Sequence, residues 1–364
     1  MSTAVELVDP LEALLYGPRP DVLRIGLVIP GSGVLGLTGP SALDAAVLAA
    51  SEVNTSAGGH QRRVELVVVD SGGVRRAVAD AVAQLARAEA VNAFVGLHTS
   101  HTLVAVEQAL DGSVPYVFAS GYEATRSIPG VYCPGETPAE FVGGLTRVGS
   151  DRGITSWAIL GTDYVWPRAA RVVERAAIDA AGAQVVLDEL VPMGFGTQDG
   201  KNAVDLLHTS SCQGVILNMS GLDLVRMLEA IRTRGLDNLV RISNCLEENS
   251  LYALGGDTSG NLYSGLHSFE SLRSPAREAL DERRRSLFGN VSPVLNSWSV
   301  QCYDAVKLLA DLDRHDALSS QALDEDNALG DVPVSVRPRI GGVVTPPAYD
   351  QHLAVAEGMS FEVL

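Results

Sequence analysis

His98, Thr99 and Ser100 stand where the apolar run Ala93-Phe94-Val95-Gly96-Leu97 gives way to Leu103-Val104-Ala105-Val106. The change from a buried strand to a helix leaves an imidazole and two hydroxyls beside the unsatisfied N–H groups of a helix start. Partial positive charge there favours a polar or anionic ligand. The same grammar recurs at Ala158-Ile159-Leu160-Gly161-Thr162-Asp163-Tyr164-Val165-Trp166. Tyr164 can present its hydroxyl to a ligand or pack under the helix that follows, and both readings stand. Two polar strand-to-helix turns, one in each half of the chain, imply a two-lobed small-molecule binder.

Other chemistries fit less well. Gly31-Ser32-Gly33-Val34-Leu35-Gly36 spells G-x-G-x-x-G after a strand, as dinucleotide sites do. Thr38-Gly39-Pro40 then delays the helix, and the next strand's acid, Asp70, lies well beyond the usual offset of about 20 residues. The loop is therefore expected to line a cleft, with no cofactor. Ser100 and His101 are adjacent and point apart at a helix start, and no strained G-x-S-x-G elbow exists, so a serine nucleophile is not expected. Glu247 and Glu248 could hold an ammonium group or simply form a solvated helix N-terminus. Cys133, Cys212, Cys245 and Cys302 are far apart with no CxxC pair, which reads as buried thiols and no metal site.

The elements that must position these turns alternate along the chain. Strands are expected near 23–30, 64–69, 93–96 and 115–119, with helices at 42–53, 77–88 and 101–110 between and beyond them. Such alternation points to a parallel sheet with right-handed crossovers. The pattern restarts after the Cys133–Pro138 stretch, with strands near 156–160, 185–191, 214–218, 239–243 and 262–264. Two long helices, 275–288 and 297–312, follow, and 353–357 with 360–364 reads as a closing hairpin. The fold class is α/β in two lobes, each a parallel sheet flanked by helices, with ligand between them at the strands' carboxyl ends. The expected division is an extension at 1–22, one lobe from 23–135 plus 266–328, and a second from 136–265 plus 329–364.

A chain of 364 residues suits two cores, and 46% hydrophobic with 20% charged residues is ordinary for a globular protein. Lys plus Arg number 27 against 44 Asp plus Glu, a formal charge of −17 that repels phosphate backbones and argues against direct nucleic-acid binding. The opening MSTAVELVDPLEALLYGPRP is acidic and resembles neither a signal peptide nor a membrane span. The expectation is a cytoplasmic protein without membrane insertion, or a periplasmic or extracellular one if the true N-terminus lies upstream.

In order and spacing, VGLHTSHTLVAV, VPYVFASGYE, ILGTDYVWPR and WSVQCYDA resemble the type I periplasmic-binding-protein fold from about Leu23 to the C-terminus. The nearer resemblance is to the branch holding the cytoplasmic amide sensor of the amidase operon and the urea/amide substrate-binding proteins. It implies a first contact loop of His98, Thr99 and Ser100, where the amide sensor has an aromatic in place of His98. A second loop would hold Phe118, Ser120 and Tyr122, replacing a tyrosine by Phe118 and a threonine by Ser120. Tyr164 would close from the other lobe, with Asn218, Ser220 and Glu248 on the far wall. The implied function is non-enzymatic binding of a small amide-, urea- or amino-acid-like ligand with hinge closure, as a cytoplasmic regulator. In the amide-sensor group the partner is an RNA-binding antiterminator protein, and a homodimer is compatible with the family. The alternatives are the substrate-binding component of an ABC transporter and an enzyme acting on a small amide.

Overall fold

The computed structural model describes residues 5–56, 62–123, 128–324 and 350–364. In chain order the first elements are β1 (Glu6–Val8), α1 (Pro10–Leu15), β2 (Val22–Ile29), α2 (Gly39–Ser56), β3 (Arg63–Asp70) and α3 (Arg75–Arg87). Then come β4 (Ala93–Gly96), α4 (Ser100–Leu110), β5 (Tyr116–Phe118) and β6 (Val131–Tyr132). The middle of the chain forms α5 (Pro138–Arg152), β7 (Ser156–Thr162), α6 (Val165–Ala180), β8 (Gln184–Val191), α7 (Thr197–Ser210) and β9 (Gly214–Asn218). It continues through α8 (Gly221–Thr233), β10 (Val240–Ser243), α9 (Glu248–Ala253) and β11 (Leu262–Leu266). The last elements are α10 (Pro275–Phe288), α11 (Ser297–Arg314), α12 (Ser320–Asp324), β12 (His352–Glu357) and β13 (Ser360–Val363).

Contacts divide the chain into two compact units. Of the described residues, the first holds those up to 33, those from 38 to 135 and 274–324, and the second 34–37, 136–273 and 350–364; the expected placement of 329–349 in the second lobe lies outside the described residues. Compared with the sequence expectation, residues 266–273 fall in the second unit, and the short stretch 34–37 groups with it as well. The first sheet runs β1-β3-β2-β4-β5-β6, with every pairing parallel. The second runs β13-β12-β11-β10-β9-β7-β8, parallel except where the C-terminal hairpin adds β12 and β13 antiparallel.

Burial explains the composition. Every residue of β2, β4, β9, β10 and β11 is buried, so these strands read as continuous apolar runs rather than alternating ones. In the second unit, Ala158, Leu160, Val215 and Leu217 pack into one core. Their neighbours Trp157, Ile159 and Ile216 pack into another, so both faces of that sheet are covered. The edge strands β8 and β13 show the half-exposed alternation of one-sided strands. The return of the chain to the first unit is fastened by Glu52 on α2, which accepts hydrogen bonds from Arg283 (2.7 Å) and the Tyr303 hydroxyl (2.6 Å).

The first 22 residues, expected as an extension apart from the lobes, are a correction. β1 pairs with β3, Glu6 opposite Glu65, and Ala13 of α1 is fully buried in the first unit's core. Three strand residues and six helical ones are too short to show a period, and their partner lies some sixty residues on. An ion pair ties this segment down. Arg24 and Glu65, opposite one another on β2 and β3, meet at 3.0 Å with exposures of 6% and 2%. Arg24 Nη1 also donates to the Tyr16 carbonyl at 2.7 Å, and Arg19 reaches Glu65 Oε1 at 2.9 Å.

Removing one partner of such a pair leaves a buried charge uncompensated. Arg24→Ala is therefore expected to lower unfolding free energy by about 3–5 kcal/mol in urea titrations. A loss below about 1 kcal/mol would mean that Glu65 finds water or a proton instead.

Candidate ligand-binding site

In a parallel sheet covered on both faces, the polar groups that can meet a ligand collect at the strands' carboxyl ends, where helices begin. Each unit has one such edge.

In the first unit, β4 ends at Gly96 and hands over to α4 through Leu97, His98 and Thr99. Thr99 is the N-cap, its hydroxyl accepting from Thr102 N–H at 3.3 Å. His98, expected to face the ligand, is 1% exposed and occupied on both ring nitrogens. Nδ1 lies 3.1 Å from the Thr99 carbonyl, which can only accept, so Nδ1 carries the proton. Nε2 then accepts from the Tyr116 hydroxyl at 2.6 Å. Burial holds the imidazole neutral, with its pKa lowered to about 4. Phe118, the next candidate, is fully buried with its ring 5.0 Å from that of His98. Both residues are core, and they shape the turn from beneath. Gly96 is required there, because a Cβ would lie 1.9 Å from the Tyr116 hydroxyl oxygen.

Ser100, Ser120 and Tyr122 also stand at this edge. Ser100 is the first helical residue of α4, and its hydroxyl takes no hydrogen bond from the described residues. Ser120 is half-buried just past β5, its hydroxyl likewise without a partner there. Tyr122 is 8% exposed against the core. The G-x-G-x-x-G loop is held from below by Asp70. Its carboxylate accepts from Gly31 N–H and Gly72 N–H, both 2.8 Å, and from Ser32 Oγ at 2.7 Å. That acid therefore serves the loop itself.

In the second unit, Tyr164 is the N-cap residue of α6 and Ser220 that of α8, both 8% exposed. Neither uses its side chain as a cap. Asn218, at the end of β9, is 1% exposed, and its Nδ2 donates to Glu174 Oε2 at 2.7 Å. Glu248 is 2% exposed rather than solvated, and its Oε1 accepts from Glu270 N–H at 2.6 Å. Glu247, fully buried, caps α9 by accepting from Asn249 and Ser250 N–H groups at 2.8 and 2.9 Å. Asn218, Glu247 and Glu248 thus hold backbone and neighbours in place.

Sequence reasoning missed Glu174. It falls in the stripe Trp166, Ala170, Glu174, Ile178 that α6 turns inward, so an acid at an apolar helical position was the available signal. Burial, with Asp188 as a minor contributor, raises its pKa to about 8, so it is protonated at neutral pH. Glu174 Oε1 and Asn218 Oδ1 are both buried acceptors without a hydrogen bond. A proton on Oε1 makes a donor of one of them. All four cysteines are buried thiols outside any disulfide. Among the described residues no group of three or more His, Cys, Asp or Glu could hold a metal, and no helix is long and apolar enough to cross a membrane.

Two α/β units, each a mostly parallel sheet flanked by helices with polar helix starts at the carboxyl edge, make the fold of type I periplasmic binding proteins. Residues 22–320 match the family described as "Periplasmic binding protein", and the chain belongs to that family. Solved structures agree on the fold. A solute-binding protein of an ABC transporter from R. palustris, in complex with benzoate, superposes with a TM-score of 0.78 at 16% identity, over 94% of this chain and 95% of that one. A fatty acid ABC transporter substrate-binding protein from Thermomonospora curvata gives 0.76 at 16%, over 96% and 92%. A leucine binding protein from Thermotoga maritima gives 0.75 at 14%, over 94% and 98%.

The proton on Glu174 makes a test. The unfolded chain ionises this group above about pH 4.5 while the folded protein keeps it protonated to about 8. Its contribution is therefore present in full below pH 4.5 and lost as pH rises towards 8, by at most about 1.4 kcal/mol per pH unit. Glu174→Gln, which does not ionise, is expected to gain stability relative to the parent as pH rises from 5 to 8. Melting curves at several pH values read this directly, and a pH-independent difference would contradict a buried, protonated Glu174.

Proposed function

We propose that this protein is the substrate-binding component of an ABC-type importer for a small organic acid or amino acid, and that it is not an enzyme. The observation that carries this reading is the pair of hydroxyls, Ser100 and Ser120, at the carboxyl edge of the first unit, neither of which has a hydrogen-bond partner among the described residues. Ser100 sits at the N-terminus of the eleven-residue helix α4. A hydroxyl and a helix N-terminus together suit a carboxylate. The neighbours support the same chemistry, since benzoate, fatty acid and leucine share a carboxylate on an apolar body. They are named as transport or ligand-binding proteins, which favours the transporter reading over a cytoplasmic amide-sensing regulator.

Thr99, Ser100, Ser120 and Tyr122 would hold the polar end of the ligand at the carboxyl edge of the first unit. Ligand would favour the conformation that binds it best, and the importer's membrane partner would read that population shift. His98, Phe118, Asn218 and Glu248 support the contact residues without touching ligand.

A thermal-shift panel of leucine, benzoate, 4-hydroxybenzoate, short amides and urea tests the proposal. Binding to the folded state stabilises it by roughly 2.7 kcal/mol at 100 times Kd. The expected outcome is a shift with a carboxylate, with affinity weakened about tenfold, some 1.4 kcal/mol, in Ser100→Ala. A shift with amides or urea alone would return the amide-sensor reading and sink the carboxylate one.

A further inference from the structure

The first unit leaves one edge of its sheet open. β1 is the outermost strand of β1-β3-β2-β4-β5-β6, paired with β3 on one side and with no strand among the described residues on the other. An open edge is a row of N–H and C=O groups that can template a further strand. Apolar side chains collect beside it. Leu7 on β1, Leu11 and Leu15 on α1, and Tyr16 at the end of α1 are 52%, 71%, 75% and 69% exposed. Leu11 and Leu15, four residues apart, share one outward face of α1, while Ala13 enters the core and the helix packs on α3 and β3. Val8 turns into that same core, so its neighbour Leu7 stands on the opposite face of the sheet.

The second unit shows a guarded edge for contrast. Its outer strand β8 carries Asp188 and the exposed Glu189 in mid-strand, and Arg175 and Arg171 of α6 reach Asp188 at 2.8 and 3.4 Å. Charges placed along a strand discourage a second copy from pairing there. β1 carries one charge, Glu6 at its beginning, drawn to Arg19 at 3.9 Å. Self-complementarity decides what fits. If β1 runs antiparallel to β1 of a second copy with the twofold axis at Leu7, Leu7 faces the partner's Leu7, and Glu6 faces the partner's Val8 rather than another acid. An axis perpendicular to the sheet keeps both α1 helices on one face of a continuous sheet, where Leu11, Leu15 and Tyr16 meet their own copies. A lipid surface would cover the leucines without completing the strand edge, and Glu6, Asp9 and Glu12 would repel anionic headgroups.

We propose that this edge is a homodimer interface, with β1 pairing antiparallel to β1 of a second copy and α1 packing against α1. Every residue involved belongs to the first unit, and the interface does not depend on the transport reading. Residues 5–20 are fewer than the roughly 20–30 per side of a stable interface, so the dimer is expected to form at micromolar rather than nanomolar concentration.

Sedimentation velocity of the full chain over a wide concentration range tests it, and a monomer–dimer equilibrium is expected. Leu11→Glu and Leu15→Glu should each weaken the dimer about tenfold, some 1.4 kcal/mol, and leave the fold intact by circular dichroism because both side chains are exposed. Val172→Glu, at a 65% exposed position on α6 of the second unit, should change nothing. Leu7→Cys adds an accessible thiol to a chain whose own four are buried. Oxidation with diamide should join two copies through it, since directly opposed residues on antiparallel strands bring their Cβ atoms within about 5.5 Å. Val172→Cys should give no such crosslink. A chain that stays monomeric at every concentration would overturn the proposal, as would a dimer that persists in both α1 variants. Crosslinking of Leu7→Cys no better than of Val172→Cys would overturn the strand pairing. A monomer that binds phosphatidylcholine vesicles, and loses that binding in Leu11→Glu, would assign the face to lipid instead.

Discussion

Covering a parallel sheet on both faces is the constraint from which the rest follows. Strands β2, β4, β9 and β10 have no solvent face, so most of their side chains are apolar and their backbone groups pair within the sheets. Polar groups are left at the strand ends, where each helix start also exposes N–H groups. A ligand site at the carboxyl edges is therefore a consequence of the architecture before any particular residue is considered. The buried pair Arg24–Glu65 shows what an exception demands, since each of its charges is met by several partners within the first unit.

At those edges most polar side chains are already engaged. His98 is neutral between Thr99 and Tyr116, Asn218 is held by Glu174, and Glu247 and Glu248 satisfy backbone amides. This internal bonding commits those side chains to their neighbours, whereas the Ser100 and Ser120 hydroxyls take no hydrogen bond from the described residues. Ser100 and Ser120 gain significance because their neighbours are committed elsewhere. Glu174 illustrates the depth of the arrangement, a carboxyl group kept protonated by burial so that it can partner an amide without carrying charge.

Among the solved structures the chain resembles, one is in complex with benzoate and another is a leucine binding protein. Identities of 14–16% carry the fold and not the ligand, so choice of substrate rests on the side chains at the edges. Where the amide-sensor resemblance would put an aromatic and a tyrosine, this chain has His98 and Phe118, and both turn inward.

The sequence by itself determined the succession of strands and helices. Buried strands such as Leu23–Ile29 and Ala93–Gly96, and helices such as α10 and the closing hairpin, were legible because periodicity and turn residues are local. Strand-to-helix turns at 98–100 and 162–164 were legible for the same reason. Tertiary structure alone decided that residues 6–15 join the first sheet, because a three-residue strand is defined by its distant partner β3. It alone decided which polar residues at the turns are free for ligand. His98 could not be seen to be occupied until Tyr116, eighteen residues away, was brought beneath it. Whether a side chain meets ligand or core depends on its neighbours in space, which local pattern does not record.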